Sequence, residues 1–196
     1  RSLLLGLVMA GLRPVWVRPE IDPGTGLPGA VAVQTVKDAL AAHPDACGVI
    51  LGDPSYIGTT GDLAGHARAA HEAGVPLIVD QAWAAYLGFH PDLPAHAIAA
   101  GADGMVTSAH KTLPAYTQGA VVLARTERLD RARLERAFDA THTTSPAGSI
   151  LASIDAARAL LARDGERLSG RLLRGLAAAR KRLREVPGLD VLDGPG

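Results

Sequence analysis

Sulfur chemistry is almost absent from this sequence: one cysteine, Cys47, and two methionines. A single thiol excludes a disulfide framework and suits a reducing compartment, here the cytoplasm. Set in the apolar run Cys47–Leu51, it reads as a buried, inert side chain. An excess of charge is missing too, since 20 Lys+Arg balance 20 Asp+Glu to a formal net charge of zero. That balance argues against a dedicated nucleic-acid or membrane-surface protein. The apolar run Ser2–Leu12 ends at Arg13, too short to span a bilayer. With Arg1 before it, the run imitates a short signal peptide, yet it leads into Pro14–Val17 without a plausible cleavage site. The chain does not open with methionine and stops on Gly194-Pro195-Gly196. It is expected to be an internal piece of a longer protein.

What is present suits a folded domain. The 196 residues are 47% apolar and 20% charged, enough to build a core and too apolar for disorder. Helical patterns over Leu3–Ala10, Val33–Ala42, Leu63–Glu72 and Pro94–Ala100 alternate with short apolar strands. Those strands are expected at Pro14–Val17, Gly48–Leu51, Leu77–Asp80, Gly104–Thr107 and Ala120–Leu123. Short apolar strands separated by helices predict an α/β fold, three-layered, with a mostly parallel sheet and helices on both faces. After about Leu129 the character changes. Leu151–Ala162 and Glu166–Glu185 read as two helices, and Gly188–Leu192 as the start of a further strand. Arg167, Arg171, Arg174, Arg180, Lys181, Arg182 and Arg184 oppose Leu168, Leu172, Leu176 and Leu183, which reads as a solvated face on a joining helix.

In open α/β sheets, ligands bind beyond the carboxyl ends of the strands. Asp53-Pro54-Ser55-Tyr56, Asp80-Gln81-Ala82-Trp83 and Ser108-Ala109-His110-Lys111 all fall there. An acid, a hydroxyl, an imidazole and an amine therefore converge on one crevice. Lys111, partly desolvated at a strand end, has the chemistry of a Schiff-base nucleophile. Asp80 has the chemistry to keep a pyridine nitrogen protonated, the pairing that a pyridoxal phosphate site requires. Spacing alone leaves a second reading open, in which Asp80 and Lys111 form an ordinary ion pair at the sheet edge.

Three longer segments carry a resemblance. Val79-Asp80-Gln81-Ala82-Trp83, Phe89-His90-Pro91-Asp92-Leu93-Pro94 and the run from Ser108 through Lys111-Thr112-Leu113-Pro114 to Gln118 look like the major domain of the Orn/Lys/Arg decarboxylases. Thr144-Ser145-Pro146 and the stretch from Leu151 to Arg158 continue it. That family consists of fold-type I, aminotransferase-like enzymes that use pyridoxal 5'-phosphate. Cysteine desulfurases share Ser-x-His-Lys, but follow the lysine with a Gly-Pro-type loop that this chain lacks.

The resemblance implies a role for each residue. Lys111 would hold the cofactor covalently, and Asp80 would pair with its ring nitrogen. Ala82 would pack its methyl on one ring face, Trp83 would line the pocket, and Ser108 would bond the phosphate. His110 would sit beside the reacting carbon as a proton donor. Thr143, Thr144 and Ser145 resemble a segment that reaches the neighbouring subunit's phosphate, which implies a homodimer or an oligomer of dimers. The implied domains are a cofactor-binding large domain over 1–163, incomplete at its start, and a linking helix with the start of a small domain over 164–196. The implied reaction is decarboxylation of arginine, lysine or ornithine, with no nucleic acid, membrane or metal involved. Aminotransfer, C–S lysis or a non-catalytic binding module are the alternatives. The family's phosphate loop and ring-stacking histidine would lie before Arg1, and Asp53 stands where relatives commonly have Asn.

Other patterns mislead. Gly24-Thr25-Gly26-Leu27-Pro28-Gly29 matches a dinucleotide fingerprint, but Pro19, Pro23 and Pro28 make it a structured loop. His110-Lys111-Thr112 lacks the glycine that a P-loop places before its lysine. The pairs His66/His71 and His90/His96 have zinc-like intervals without cysteine partners, and read as surface or packing histidines.

Overall fold

A computed structural model describes residues 2–125 and 127–192. The elements in chain order are α1 (Ser2–Met9), α2 (Val33–Ala42), β1 (Val49–Gly52), α3 (Leu63–Glu72), β2 (Leu77–Asp80), β3 (Gly104–Thr107), α4 (Ala109–Thr112), β4 (Val121–Ala124), α5 (Arg131–Thr141) and α6 (Gly148–Arg184). The strands form one sheet in the order β1-β2-β3-β4. β1, β2 and β3 run parallel, with Val49 opposite Leu77 and Ile78 opposite Gly104. β4 returns antiparallel to β3, with Val106 opposite Val122. The connection before β4 holds only the one-turn α4, which is no crossover helix, so the chain doubles back.

One sheet face makes the core. Val49, Leu51, Leu77, Val79 and Met105 are buried there against Val36 of α2 and Leu63, Ala67 and Ala70 of α3. The opposite face carries Ile50, Ile78, Val106 and Val122, and three of these are exposed. Asp80 lies on that second face, one residue pair beyond Ile78. α3 starts where Asp62 accepts the Gly65 N–H at 2.8 Å, an N-cap bond.

Several expectations need correction. Residues 14–17 form no strand. The segment is extended and exposed at Val15 and Trp16, and no described neighbour offers it a ladder. The helix expected over 94–100 is a set of turns, where the His96 imidazole accepts the Ala99 N–H and Gly101 turns the chain at φ +107°. The two helices expected after 151 are the single α6, which runs through Asp164 and Gly165. Arg163 and Arg167 both pair with Asp164, and Gly165 lets the helix meet Phe89, where a Cβ would come within 2.9 Å. No strand forms over 188–192, and the terminal Gly194-Pro195-Gly196, like Arg1, lies outside the described residues. α4 and α5 were not anticipated. Cys47 is exposed, not buried, because it precedes β1 in a loop. The 24–29 segment is the structured loop expected of it. Asp22 accepts the N–H groups of Gly24 and Thr25, and Ile21 bridges to Pro28.

Beyond Gly170 no described residue of α6 is buried. Its first half rests on the loops after β2 and α4. Ser153 Oγ accepts the Tyr116 N–H at 2.9 Å, Ile154 touches Gly119, and Gly170 meets His90. The segments that carry the family resemblance are therefore also those that seat α6.

Candidate functional site

Asp80 closes β2, and its backbone is held from both sides. Its carbonyl accepts the Asp53 N–H at 3.0 Å, and the next residue, Gln81, donates its N–H to Val106 O at 2.8 Å. The Thr107 hydroxyl donates to Gln81 O at 2.9 Å, which fixes the turn that follows. The Asp80 side chain itself is exposed and, among the described residues, accepts only the Ala82 N–H, at 3.1 Å on Oδ1. A carboxylate on a rigid strand end with one oxygen unengaged is suited to receive a ligand N–H.

Lys111 sits in α4, just beyond β3. Its ammonium lies 4.4 Å from the centre of the Trp83 ring. It makes no ion pair with Asp80, so the simple edge ion pair does not form. Ser108 caps α4 in an extended conformation, yet its hydroxyl makes no capping bond and remains available. His110 is half-buried, and its Nδ1 lies 2.7 Å from Gly119 O. A carbonyl only accepts, so Nδ1 carries the proton and donates it, and Nε2 makes no hydrogen bond among the described residues. Thr112 Oγ1 accepts the Ala85 N–H at 3.2 Å, tying α4 to the turn that carries Trp83.

Asp53 is placed differently from its expected neighbours. It is buried, and its Oδ2 accepts the Gly61 N–H at 2.6 Å. Burial pushes its carboxyl above the ordinary value, against the Gly61 N–H and the charge of His66. His66 is buried behind it, with neither ring nitrogen hydrogen-bonded. His71, the other half of that histidine pair, is engaged by Asp103 at 2.8 Å.

Asp80, Ala82, Trp83, Ser108, His110 and Lys111 thus all stand at one end of β2 and β3. Residues 143–145 do not join them by any hydrogen bond; that exposed segment bonds within itself, from the Ser145 N–H to Thr143 Oγ1 at 3.2 Å. A separate apolar groove of about 820 Å³ lies between β4, α5 and α6, lined by Val122, Leu134, Phe138, Leu151 and Ile154. It contains none of the expected residues. Sequence reasoning missed Gln81, Thr107 and Thr112, whose bonds hold the site. Their signal is modest: polar side chains that interrupt apolar strand ends.

The free groups fit pyridoxal phosphate. An unengaged Asp80 oxygen suits a ring N–H, an amine without a carboxylate suits an aldehyde, and an uncommitted Ser108 hydroxyl suits a phosphate.

The family model of the Orn/Lys/Arg decarboxylase major domain matches residues 1–193. The chain is 34% identical over 189 residues to an arginine decarboxylase of Bacillus subtilis, spanning 96% of this chain and 39% of that protein. It is 27% identical to the lysine decarboxylase LdcA of Pseudomonas aeruginosa, over 82% of this chain and 24% of that one. Among solved structures, the constitutive lysine decarboxylase of E. coli superposes with a TM-score of 0.74 at 25% identity, covering 97% of this chain and 29% of its own. A methionine gamma lyase from Micromonospora echinospora shares the fold, with a TM-score of 0.59 at 21% identity over 82% of this chain and 39% of that one. The chain spans well under half the length of the curated relatives it matches. No helix among the described residues is long and apolar enough to cross a membrane.

Proposed function

This chain belongs to the Orn/Lys/Arg decarboxylase family, and on that footing we propose that it is the cofactor-binding part of a pyridoxal-phosphate-dependent decarboxylase of basic amino acids. The observation that carries the reading is the shared placement of an unpaired Lys111 amine and a half-free Asp80 carboxylate at one strand end. Pyridoxal 5'-phosphate, when bound, supplies an electron-accepting ring that makes loss of carbon dioxide feasible.

The chain's own residues do the rest. Lys111 Nζ would hold the cofactor covalently, and the free Asp80 oxygen would accept its ring N–H and keep that nitrogen protonated. The Ala82 methyl would pack on one ring face, the Trp83 indole would wall the pocket, and the Ser108 hydroxyl would donate to the phosphate. His110 Nε2 holds the proton that returns to the substrate carbon, with Nδ1 locked on Gly119 so that the ring cannot turn away. Fixing these groups on strand ends supplies orientation, the protein's main contribution to such chemistry. Residues 143–145 are proposed to complete the site of a second subunit in a homodimer.

Arginine is the first substrate to test, because several relatives bear the name arginine decarboxylase. The full-length protein with cofactor is given arginine, lysine and ornithine separately, and carbon dioxide and the matching amine are measured. Borohydride reduction and peptide mapping accompany the assay. Amine with stoichiometric carbon dioxide and a label on Lys111 is the expected result. Keto acid without carbon dioxide, or a label on another lysine, overturns it.

A further inference from the structure

Opposite charges at one strand end ought to meet, and here they do not. The Lys111 ammonium stands over the Trp83 ring at 4.4 Å, and the Asp80 carboxylate bonds only the backbone of Ala82. Trp83 is 46% exposed, so the ring is not sequestered in the core and its face is open to a cation.

Two features hold ring and amine together. The Trp83 turn is built on Gln81, whose N–H is bonded to β3 and whose carbonyl takes the Thr107 hydroxyl and the Ala84 N–H. That turn is then tied to α4 by the Ala85 N–H donating to Thr112 Oγ1, at the residue next to Lys111. The two segments that carry ring and amine are therefore tied together, so the side chains of Trp83 and Lys111 start from fixed backbone positions. An exposed cation–π contact and an exposed ion pair are of similar strength, so a preplaced ring can compete with a nearby carboxylate.

We propose that Trp83 is the positioning residue for Lys111: its indole face seats the ammonium whenever that amine is not covalently engaged, and so prevents an ion pair with Asp80. Closing that pair would occupy the amine and the carboxylate at once, leaving neither ready for the cofactor. With Trp83 in place, Asp80 keeps an acceptor oxygen free and the lysine rests close to where it acts. The proposal rests on the reading of Lys111 and Asp80 as the two anchors of the cofactor.

The test measures Lys111 itself, not turnover. Full-length protein freed of cofactor is treated with a limiting amount of acetic anhydride. The acylation rate at Lys111 is read by peptide mass spectrometry for wild type, Asp80→Asn, Trp83→Leu and the double variant. Only the neutral amine reacts, so a carboxylate that pairs with the ammonium slows the reaction. With Trp83 present, Asp80→Asn changes the rate by less than about 1.5-fold. In the Trp83→Leu background it raises the rate about three-fold, the strength of one exposed ion pair. Trp83→Phe retains a ring and behaves like wild type, which separates the cation seat from a loss of folding. Equal effects of Asp80→Asn in the two backgrounds overturn the proposal. Cofactor uptake by wild type is followed in parallel by absorbance and borohydride labelling. If Lys111 takes no label there, the functional reading fails, whatever the acylation rates show.

Discussion

The two ends of strands β2 and β3 each gather an acid, a histidine and a base, and treat them in opposite ways. At the N-terminal end, Asp103 is 1% exposed and engaged from every side. It accepts the Leu77 N–H at 2.9 Å, lies 2.8 Å from His71 Nε2, and meets Arg128 at 3.4 Å. Burial alone would raise its carboxyl, but the Leu77 N–H, His71 and Arg128 together hold it below the ordinary value. At the C-terminal end, among the described residues, Asp80 is exposed with one local bond, Lys111 meets no carboxylate, and His110 has one nitrogen engaged. The first cluster uses up its hydrogen-bonding capacity to join α3, β2 and the segment after β4. The second leaves much of its capacity unused, as the proposed cofactor site requires. The shifted, well-paired Asp103 is therefore a structural carboxylate, and the proposed anchor Asp80 is not marked out by any burial or pairing of its own.

The largest test of this contrast removes the amine. Lys111→Ala in the full-length protein should lower turnover roughly 10³-fold or more. Urea denaturation should shift by less than about 0.5 kcal/mol, since Lys111 is exposed. A comparable loss of stability would erase the distinction between the two ends.

Asp80→Ala should cost about 10²- to 10³-fold in kcat, the usual effect of deleting one preorganised electrostatic group. Its stability should also be nearly unchanged. Wild-type kcat would remove Asp80 from the site.

Asp103→Ala should do the reverse. It strands a buried Leu77 N–H and leaves His71 and Arg128 without their partner, at a cost of about 2–4 kcal/mol in urea titrations. The pH dependence sharpens this point. The fold favours ionised Asp103, so its stabilisation is complete above the ordinary carboxylate range, about pH 4. It is lost as pH falls through the lower folded value. Asp53 works in the opposite sense: burial raises it, the fold favours its protonated form, and its contribution declines as pH climbs past about 4. Asp103→Asn should therefore flatten the acid limb of stability below pH 4. An acid limb as steep as that of wild type would show that other carboxylates govern it.

The smallest effect is expected at Arg128, which is partly exposed. Arg128→Ala should cost less than about 1 kcal/mol by the same titration, because solvent screens its pairing with Asp103. A larger loss would mean that this arginine, and not the Leu77 N–H, is the main anchor of the cluster.

Much of the fold was legible from local pattern. α2, α3 and β2 fall where the spacing of apolar residues put them, because their inward faces repeat at the helical or strand period. Residues 14–17 have the same apolar character and form no strand, because a strand needs a neighbour and its own sequence cannot supply one. α6 reads as two helices until Phe89 is seen against Gly165, a contact between segments far apart in the chain. Cys47 shows the same limit of local pattern. Its apolar neighbours predict burial, but the loop before β1 holds it outside the core.

The site divides along the same line. Residue chemistry and spacing determined by themselves that Asp80 closes a strand and that Ser108, His110 and Lys111 follow one, since a strand and the turn after it are local matters. Only the tertiary structure decided which charges meet. Asp103, unremarked in the sequence, is engaged on every side, while Lys111 rests on Trp83 and leaves Asp80 open. Pairing depends on how separate segments are brought together by the β2–β3 ladder and the Thr112–Ala85 bond, and on the burial that follows. Neither is a property of any stretch of chain read alone.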